Sequence, residues 1–381
     1  MGFRKKQTKR PVIRQNLGIY IHVPFCRQKC AYCDFFSRPL NRDIDGYIET
    51  LHKEYERRKD ELAEPVTTVY LGGGTPSSVG VGNLEKLIKW LPLDNVTEFT
   101  IEVNPEDIDP PTARFLAESP VNRVSMGVQS LDDGELRFIG RRHSASQALD
   151  AYRTLRENGI DNISLDLIFG LPGQTVGSWE KTLERTLALA PDHLSAYSLM
   201  LEEGTRLRAM RDSGKFKETD DETIERMYML LCEKTTKAGF SHYEISNFAR
   251  EGRQSLHNSS YWNLTPYLGL GAGAHSYDGF VRRYNPWDIK KYIETGGEIE
   301  ETDEEDFAGK VNDYLLIRLR TAEGLSLNET EALFGAGTAD TVRRQARKSI
   351  MAGSLIYEKE RLIIPPEKWL ISDSVISDLM L

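Results

Sequence analysis

Residues 20–37 read YIHVPFCRQKCAYCDFFS, and this stretch holds three of the four cysteines of the chain. The three are Cys26, Cys30 and Cys33, in a C-x3-C-x2-C spacing. Clustered cysteines are typical of metal ligands, and thiolates select iron–sulfur clusters, zinc or Cu(I). A zinc site would recruit His22 as its fourth ligand. The remaining cysteine, Cys232, falls in a helical pattern, where we expect a small core residue.

Composition predicts an ordinary globular protein. The 381 residues are 39% hydrophobic and 28% charged, which is enough for one large α/β domain and a smaller one. No apolar run approaches the roughly 18 residues of a membrane span, and a chain with so few cysteines is not a disulfide framework, so we expect a cytoplasmic protein. The net charge of -9 argues against general polyanion binding, and no nucleic-acid partner is expected.

A basic tail is predicted at residues 1–15. Its first fourteen residues contain no acid and six basic side chains, which are Arg4, Lys5, Lys6, Lys9, Arg10 and Arg14. Such a charge run most simply solvates a tail. A peripheral membrane contact or a targeting presequence is the alternative interpretation of the same residues.

Apolar runs and amphipathic stretches alternate from residue 16 to about residue 200, which we take as the core domain. Candidate strands are 18–23, 66–71, 97–103, 122–128, 162–169 and 193–199. Candidate helices between them are 42–63, 82–91, 110–118, 132–159 and 175–190. Several of the strands are apolar enough to be buried on both faces, which indicates an α/β fold with a parallel sheet and outer helices.

Polar and glycine residues fall at the carboxyl ends of these predicted strands. They are Cys26, the run Gly72-Gly73-Gly74, Glu102, Gln129 and Asp166. Parallel α/β folds build their sites at this edge of the sheet. We therefore expect one pocket that faces the cysteine loop.

The βα rhythm ends near residue 200. A connecting region is predicted at 201–303 and a C-terminal domain at 304–381. The latter has helical patterns at 305–320, 327–334 and 338–352, followed by two short strands, LIYEKE and RLIIP, in an order that predicts a winged-helix-like α+β domain. Its last helix carries four basic residues, Arg343, Arg344, Arg347 and Lys348. They are either solvated side chains or a nucleic-acid contact.

The stretch LGGGTPS, residues 71–77, follows a strand directly and fits neither the dinucleotide nor the P-loop pattern. Together with CxxxCxxC, it resembles the radical S-adenosylmethionine (SAM) superfamily. That resemblance implies a partial (β/α) barrel of about six units. It also implies a 4Fe–4S cluster on the three cysteines, whose open iron is chelated by the amino and carboxylate groups of SAM.

Within the superfamily the chain resembles the branch that contains oxygen-independent coproporphyrinogen III oxidase and the haem chaperones of the HemW type. The stretches that carry the resemblance include YIHVPFC, GGGTPS, EVNPE, SMGVQS, GRRH, LDLIFGLPGQT, HNSSYW and GAGAHS. The resemblance implies SAM contacts at Tyr20, Gly73, Gly74, Thr75, Glu102, Gln129, Arg141 and Asp166. Asp166 is also unusual apart from the resemblance, because aspartate is disfavoured in the interior of a strand.

Two departures separate the chain from the oxidase. The oxidase pattern has a further cysteine where this chain has Phe35, and it has a longer segment before the cluster. The motif HNSSYW is associated with haem binding in the chaperone subgroup, which implies haem contacts at His257, Tyr261 and Trp262. Imidazole is a common axial ligand of haem iron, and aromatic rings suit a porphyrin face, although the same residues would also suit a core. His275, in GAGAHS, ranks second as a ligand.

The sequence therefore predicts a haem chaperone that transfers haem to acceptor haemoproteins and carries the cluster and SAM in a regulatory or conformational role. The alternatives are a coproporphyrinogen III oxidase, a radical oxidative decarboxylase, and a radical SAM enzyme that modifies RNA. The radical SAM motifs are present, but the two departures make oxidase activity doubtful.

Overall fold

The computed structural model describes residues 17–40, 43–62, 64–298 and 300–381. The basic tail predicted at 1–15 lies outside the described residues. None of the helices in these ranges is both long and apolar enough to cross a membrane.

Seventeen strands are found within the described residues. They are β1 Leu17–Val23, β2 Phe25–Cys26, β3 Arg38–Pro39, β4 Val66–Gly73, β5 Glu98–Val103, β6 Arg123–Gln129, β7 Ile163–Phe169, β8 His193–Ser198, β9 Ser241–Glu244, β10 Asn247–Ala249, β11 Tyr267–Leu270, β12 His275–Tyr277, β13 Arg282–Tyr284, β14 Glu301–Asp303, β15 Leu325–Ser326, β16 Ile356–Glu358 and β17 Arg361–Ile363.

Fourteen α-helices are found in the same part of the chain. They are α1 Ile44–Arg58, α2 Val81–Ile88, α3 Pro110–Glu118, α4 Asp133–Phe138, α5 Ala145–Glu157, α6 Val176–Ala188, α7 Arg206–Asp212, α8 Asp221–Lys237, α9 Leu256–Trp262, α10 Ile289–Glu294, α11 Phe307–Leu319, α12 Leu327–Phe334, α13 Ala336–Met351 and α14 Ser372–Ser377. Short 3-10 turns occur at Lys59–Glu61, Pro76–Val79, Pro105–Asp107 and Pro366–Ile371.

The central sheet confirms the predicted parallel βα core. Its order is β14-β13-β12-β11-β1-β4-β5-β6-β7-β8-β10-β9, and the six strands from β1 to β8 in this order are parallel. Each predicted strand lies within two residues of an observed one at both ends. The arrangement is the partial (β/α) barrel of six units that the resemblance implied.

Burial explains why strand and helix alternate. In α1 the residues at helical spacing, Tyr47, Ile48, Leu51 and Tyr55, are all buried, as predicted. In β1 the odd-numbered residues, such as Ile19 and Ile21, are fully buried. The even-numbered side chains point to the other face of the sheet, where the site lies.

The single helix predicted at 132–159 is wrong, because the structure divides it into α4 and α5. Gly140 has a φ of +79°, which ends α4, and Ser144 begins α5 with a capping box that includes Gln147. The hydrophobic period continues across both helices, so periodicity alone does not detect the break. The intervening residues 139–144 carry Arg141 into the site.

Beyond residue 200 the chain extends the same sheet at both edges. β10 and β9 are antiparallel additions beside β8, whereas β11 lies parallel to β1 and is followed by antiparallel β12, β13 and β14. The βα rhythm therefore ends where the sequence predicted. The domain limits at 200 and 303 stay predictions.

The C-terminal segment has the winged-helix-like order that the sequence predicted. α11 leads to β15, then to α12 and α13, and the hairpin of β16 and β17 completes a three-stranded sheet in the order β15-β17-β16. The hairpin turn places Lys359 and Glu360 at positive φ. On α13, Arg343 pairs with Asp340 and Glu360. Arg343 therefore has acidic partners, as expected of a basic side chain on a solvated helix face.

Candidate cofactor site

The register of the sheet places three of the predicted site residues, Tyr20, Glu102 and Asp166, on one face. Tyr20 lies opposite Tyr70, and Gly127 lies opposite Asp166. Side chains alternate along a strand, so residues two apart on these parallel strands share this face, and Glu102 belongs to it through its contact with Tyr70. This face and the carboxyl ends of the strands form the candidate site.

The cysteine loop begins at the end of β1 and is closed at its base by pairing of β2 with β3. Its middle is held by two backbone hydrogen bonds of Ala31, whose N–H donates to Ile139 O at 2.9 Å and whose carbonyl accepts from Leu207 N at 2.7 Å. All three cysteines of the loop are partly buried free thiols. Burial raises the pKa of Cys33 to about 11. At neutral pH this thiol is therefore protonated unless a metal binds it.

A hydrogen-bonded chain joins two of these cysteines through residues that follow β4 and β5 and through the turn between α4 and α5. Cys26 Sγ lies 3.4 Å from Thr75 Oγ1, which accepts from Asn104 Nδ2 at 3.0 Å. Asn104 Oδ1 accepts from Arg141 Nη2 at 2.6 Å, and Arg141 Nη1 lies 3.5 Å from Cys30 Sγ. The predicted SAM residues Thr75 and Arg141 are thus in direct contact with the cysteine loop.

One nitrogen of Arg141 has no hydrogen-bond partner among the described residues. This nitrogen is Nε, which is buried, whereas Nη2 also donates to the Gly127 carbonyl. A buried guanidinium donor without an acceptor is costly, so an anionic group at this position would be stabilised. Gln129 approaches the same place, because a Cβ on Gly127 would lie 2.9 Å from Gln129 Nε2 and 3.3 Å from Arg141 Nη2.

Two buried carboxyl groups lie on the inner face. Glu102 accepts from Tyr70 Oη at 2.8 Å and from the Gly73 N–H at 3.2 Å, and burial raises its pKa to about 7. Asp166 accepts from the hydroxyls of Ser125 and Ser164, and burial raises its pKa as well. Both groups can accept further hydrogen bonds from the amino or hydroxyl groups of a ligand.

Glycine is required at positions 73 and 74 because the backbone there lies very close to neighbouring residues. Gly73 has a φ of +108°, and a Cβ there would lie 2.5 Å from the His22 ring. A Cβ on Gly74 would lie 2.7 Å from the Phe25 carbonyl oxygen. The chain therefore passes against β1 and the start of the cysteine loop as backbone alone, which leaves room that side chains would fill.

His22 does not fit the zinc alternative. Its Nδ1 lies 2.9 Å from Tyr20 Oη and its Nε2 lies 3.0 Å from the Phe36 carbonyl oxygen, so both ring nitrogens are engaged. Across the described ranges, no three His, Cys, Asp or Glu side chains are arranged around a single metal ion. The unpaired Arg141 Nε and the room beside Gly73 and Gly74 fit an amino-acid ligand next to the three thiols, which an iron–sulfur cluster that binds SAM requires and a zinc site does not.

Of the three predicted haem residues, His257 lies against the inner face of the sheet, whereas Tyr261 and Trp262 are only partly buried. His257 is fully buried in α9, where its Nδ1 lies 2.9 Å from Thr68 Oγ1 and its Nε2 lies 2.8 Å from Tyr261 Oη. Its ring is stacked on Tyr70 at a centroid distance of 5.2 Å. Trp262 is partly buried, and its Nε1 has no partner among the described residues. The structure thus brings His257 next to the SAM-site strands, but with both nitrogens engaged.

Sequence reasoning missed several polar residues of this face, which are Tyr70, Asn104, Arg123 and Ser125. Asn104 follows β5 within the EVNPE stretch, so the strand-end pattern could have identified it. Arg123 could not have been identified, because its unusual feature is three-dimensional. It is 1% exposed, and its Nε and Nη1 have no hydrogen-bond partner in the described part of the chain.

The raised carboxyl pKa values predict a pH-dependent contribution to stability. Glu244, on β9, is buried away from the cofactor site, and burial raises its pKa from 4.5 to about 7. The native state then binds more protons than the unfolded state between these values, so this contribution to stability is lost as the pH rises through about 7.

Removing that group isolates its effect. The free energy of unfolding of Glu244→Gln, minus that of wild type, should be about 3 kcal/mol larger at pH 8 than at pH 4. Urea unfolding at both pH values measures the change, and the subtraction cancels the opposite contribution of buried histidines. A difference that does not vary with pH would contradict the raised pKa.

These features define a radical SAM protein, and residues 20–186 match the family described as Radical SAM superfamily. The chain is 34% identical over 355 residues to the heme chaperone HemW of Bacillus subtilis (strain 168), which covers 90% of this chain and 93% of that relative. It is 32% identical to the heme chaperone HemW of Lactococcus lactis subsp. lactis, over 95% of this chain and 97% of the relative. The chain belongs to the HemW family of radical SAM proteins.

A solved structure has the same fold. The coproporphyrinogen III oxidase HemN from Escherichia coli superimposes with a TM-score of 0.82 over 96% of this chain and 90% of that one, at 22% identity. At this level of identity, the comparison shows that the two proteins share a fold. Membership of the radical SAM family implies a 4Fe–4S cluster and SAM as cofactors.

Proposed function

We propose that this protein is a haem chaperone that binds haem and transfers it to acceptor haemoproteins in the cytoplasm. The observation that carries the proposal is the extent of the similarity to the heme chaperones named HemW. It reaches 90% or more of the chain, well beyond the radical SAM core at residues 20–186. The proposal therefore covers the segments after residue 200, which contain the HNSSYW and GAGAHS stretches.

The cofactors of the proposal are a 4Fe–4S cluster and SAM. Cys26, Cys30 and Cys33 would hold the cluster. Glu102 is suited to accept hydrogen bonds from the amino group of SAM, and the unpaired Nε of Arg141 is suited to its carboxylate. When bound, this pair of cofactors supplies a route to a 5'-deoxyadenosyl radical. Gly73, Gly74, Thr75, Tyr20, Gln129 and Asp166 complete the proposed SAM site.

The haem residues implied by the family pattern are His257, Tyr261 and Trp262, and they stay a proposal. Burial lowers the pKa of His257 to about 3, so its imidazole is neutral, as an iron ligand must be. Ligation of iron by His257 would require it to give up its contact with Thr68 or with Tyr261.

Haem titration tests the proposal. We expect the anaerobically purified protein to bind haem stoichiometrically, with a saturable change in Soret absorbance, and to pass that haem to an added apo-haemoprotein. The control is the same acceptor mixed with free haem at the same concentration. Failure of saturable binding would contradict the chaperone function. Conversion of coproporphyrinogen III in the presence of SAM and a reductant would instead indicate the oxidase.

A further inference from the structure

The seven histidines of the chain differ in whether an iron atom could reach their ring nitrogens. Five of them have both nitrogens in hydrogen bonds, and these are His22, His143, His193, His242 and His257. His52 pairs with Glu56 through its Nε2. Among the described residues, only His275 has neither ring nitrogen in a hydrogen bond or ion pair.

His275 is exposed at the start of β12. Its ring is stacked on Tyr284 at a centroid distance of 5.3 Å and an interplanar angle of 25°. Burial of part of the ring and the charge of Arg282 lower the pKa of His275. The imidazole is therefore neutral near pH 7, and its lone pair is available to a metal.

Two aromatic rings pack against the turn that precedes His275. The turn is in contact with both rings, because a Cβ on Gly273 would lie 3.1 Å from Phe36 and 3.2 Å from Trp287. Trp287 is 62% exposed and stacks on Phe36 at 5.8 Å and 21°. The exposed Trp287 ring thus offers a flat apolar face to a ligand.

A cation lies beside one of these two rings. The guanidinium of Arg38 is 5.3 Å from the centre of the Phe36 ring. Arg38 forms no ion pair with any residue in the described ranges, unlike Arg282, which pairs with Asp313. An unpaired arginine is suited to bind a carboxylate with two parallel hydrogen bonds.

These groups, which we name the His275 rim, are Phe36, Arg38, His275, Tyr284 and Trp287. We propose that the His275 rim binds haem, with His275 as an axial ligand of the iron, the aromatic rings against the macrocycle and Arg38 on a propionate. The inference rests on the proposed function and names the ligand-binding surface for it. A haem here reaches an exposed imidazole directly, whereas a haem at His257 must first break internal hydrogen bonds of the barrel.

The test compares ferric haem binding to wild type, His275→Ala and His52→Ala, followed by Soret absorbance and by the electron paramagnetic resonance of the iron. His275 is exposed, so its replacement should leave far-ultraviolet circular dichroism unchanged. We expect His275→Ala to weaken haem binding about tenfold or more and to change the spin state of the iron. Added imidazole should restore the wild-type spectrum, because it replaces the missing ligand.

His52→Ala is the matched control, because His52 is also an exposed histidine and lies outside every site named above. The same circular dichroism shows whether it folds. In the folded protein we expect this variant to keep the wild-type haem spectrum. An unchanged spectrum and affinity in His275→Ala, or a loss that imidazole does not restore, would overturn the inference and leave haem binding elsewhere intact. Absence of haem binding by wild type would overturn the proposed function itself.

Trp287→Ala provides a second measurement that does not involve the iron ligand. Its ring is mostly outside the core, so the fold should tolerate its removal. We expect weaker haem binding with an unchanged spin state, because apolar contact is lost while the axial ligand stays. Unchanged affinity in this variant would argue against the rim as the binding surface.

Discussion

Replacement of Cys30 with alanine should leave the protein unable to hold an iron–sulfur cluster. The proposed cluster uses one thiolate from each of Cys26, Cys30 and Cys33, and alanine cannot ligate iron. After anaerobic reconstitution with iron and sulfide, wild type should be brown and contain iron and sulfide in equal amounts. The Cys30→Ala variant should lose nearly all of both, as measured by iron and sulfide analysis and by visible absorbance.

The chain offers a matched control in its fourth cysteine. Cys232 lies in α8, partly buried against the core, and its sulfur is 3.9 Å from His242 Nδ1. Cys232→Ala removes the same atom from a place remote from the loop and should reconstitute like wild type. Iron and sulfide contents in Cys30→Ala that match those of wild type would contradict the proposed cluster. Zinc in place of iron in the wild-type protein would also contradict it.

Replacement of Glu102 with glutamine should weaken SAM binding by about 10- to 100-fold, which is the effect of losing a hydrogen bond to a charged group. Glu102 already accepts from Tyr70 and Gly73, and its ionised form is suited to a cationic amino group. Calorimetric titration of the reconstituted protein with SAM measures the change. Because burial raises the pKa of Glu102 to about 7, wild-type affinity should also fall as the pH is lowered from 8 to 6.

Glu244→Gln is the control for this experiment. Glu244 is also a buried carboxyl with a pKa of about 7, but it lies on β9 at the edge of the sheet. Its replacement should change pH-dependent stability and leave SAM affinity unchanged. If both variants lost SAM binding equally, the effect of Glu102 would be one of folding and the assignment of Glu102 to the SAM site would fail.

The strands of the core were predictable because each has a continuous apolar run bounded by polar residues. Glu102 and Gln129 lie at the carboxyl ends of β5 and β6, as the sequence predicted. Asp166 instead lies in the middle of β7, opposite Gly127, so its expected position at a strand end was wrong. The helix break before Arg141 was not predictable from periodicity, since apolar residues recur at helical spacing on both sides of it. Arg123 was missed because nothing local distinguishes a buried, unpaired arginine from a solvated one.

The amino-acid sequence by itself determined the parallel βα core, the cysteine loop and the edge of the sheet where polar residues collect. These follow from the spacing of residues along the chain, which backbone geometry converts directly into faces and ends. Only the tertiary structure decided which imidazole is free. His257 and His275 both stand in conspicuous motifs, but the fold seals His257 between Thr68 and Tyr261 and leaves His275 exposed. Hydrogen bonding and burial depend on residues distant in the chain, and local sequence does not encode them.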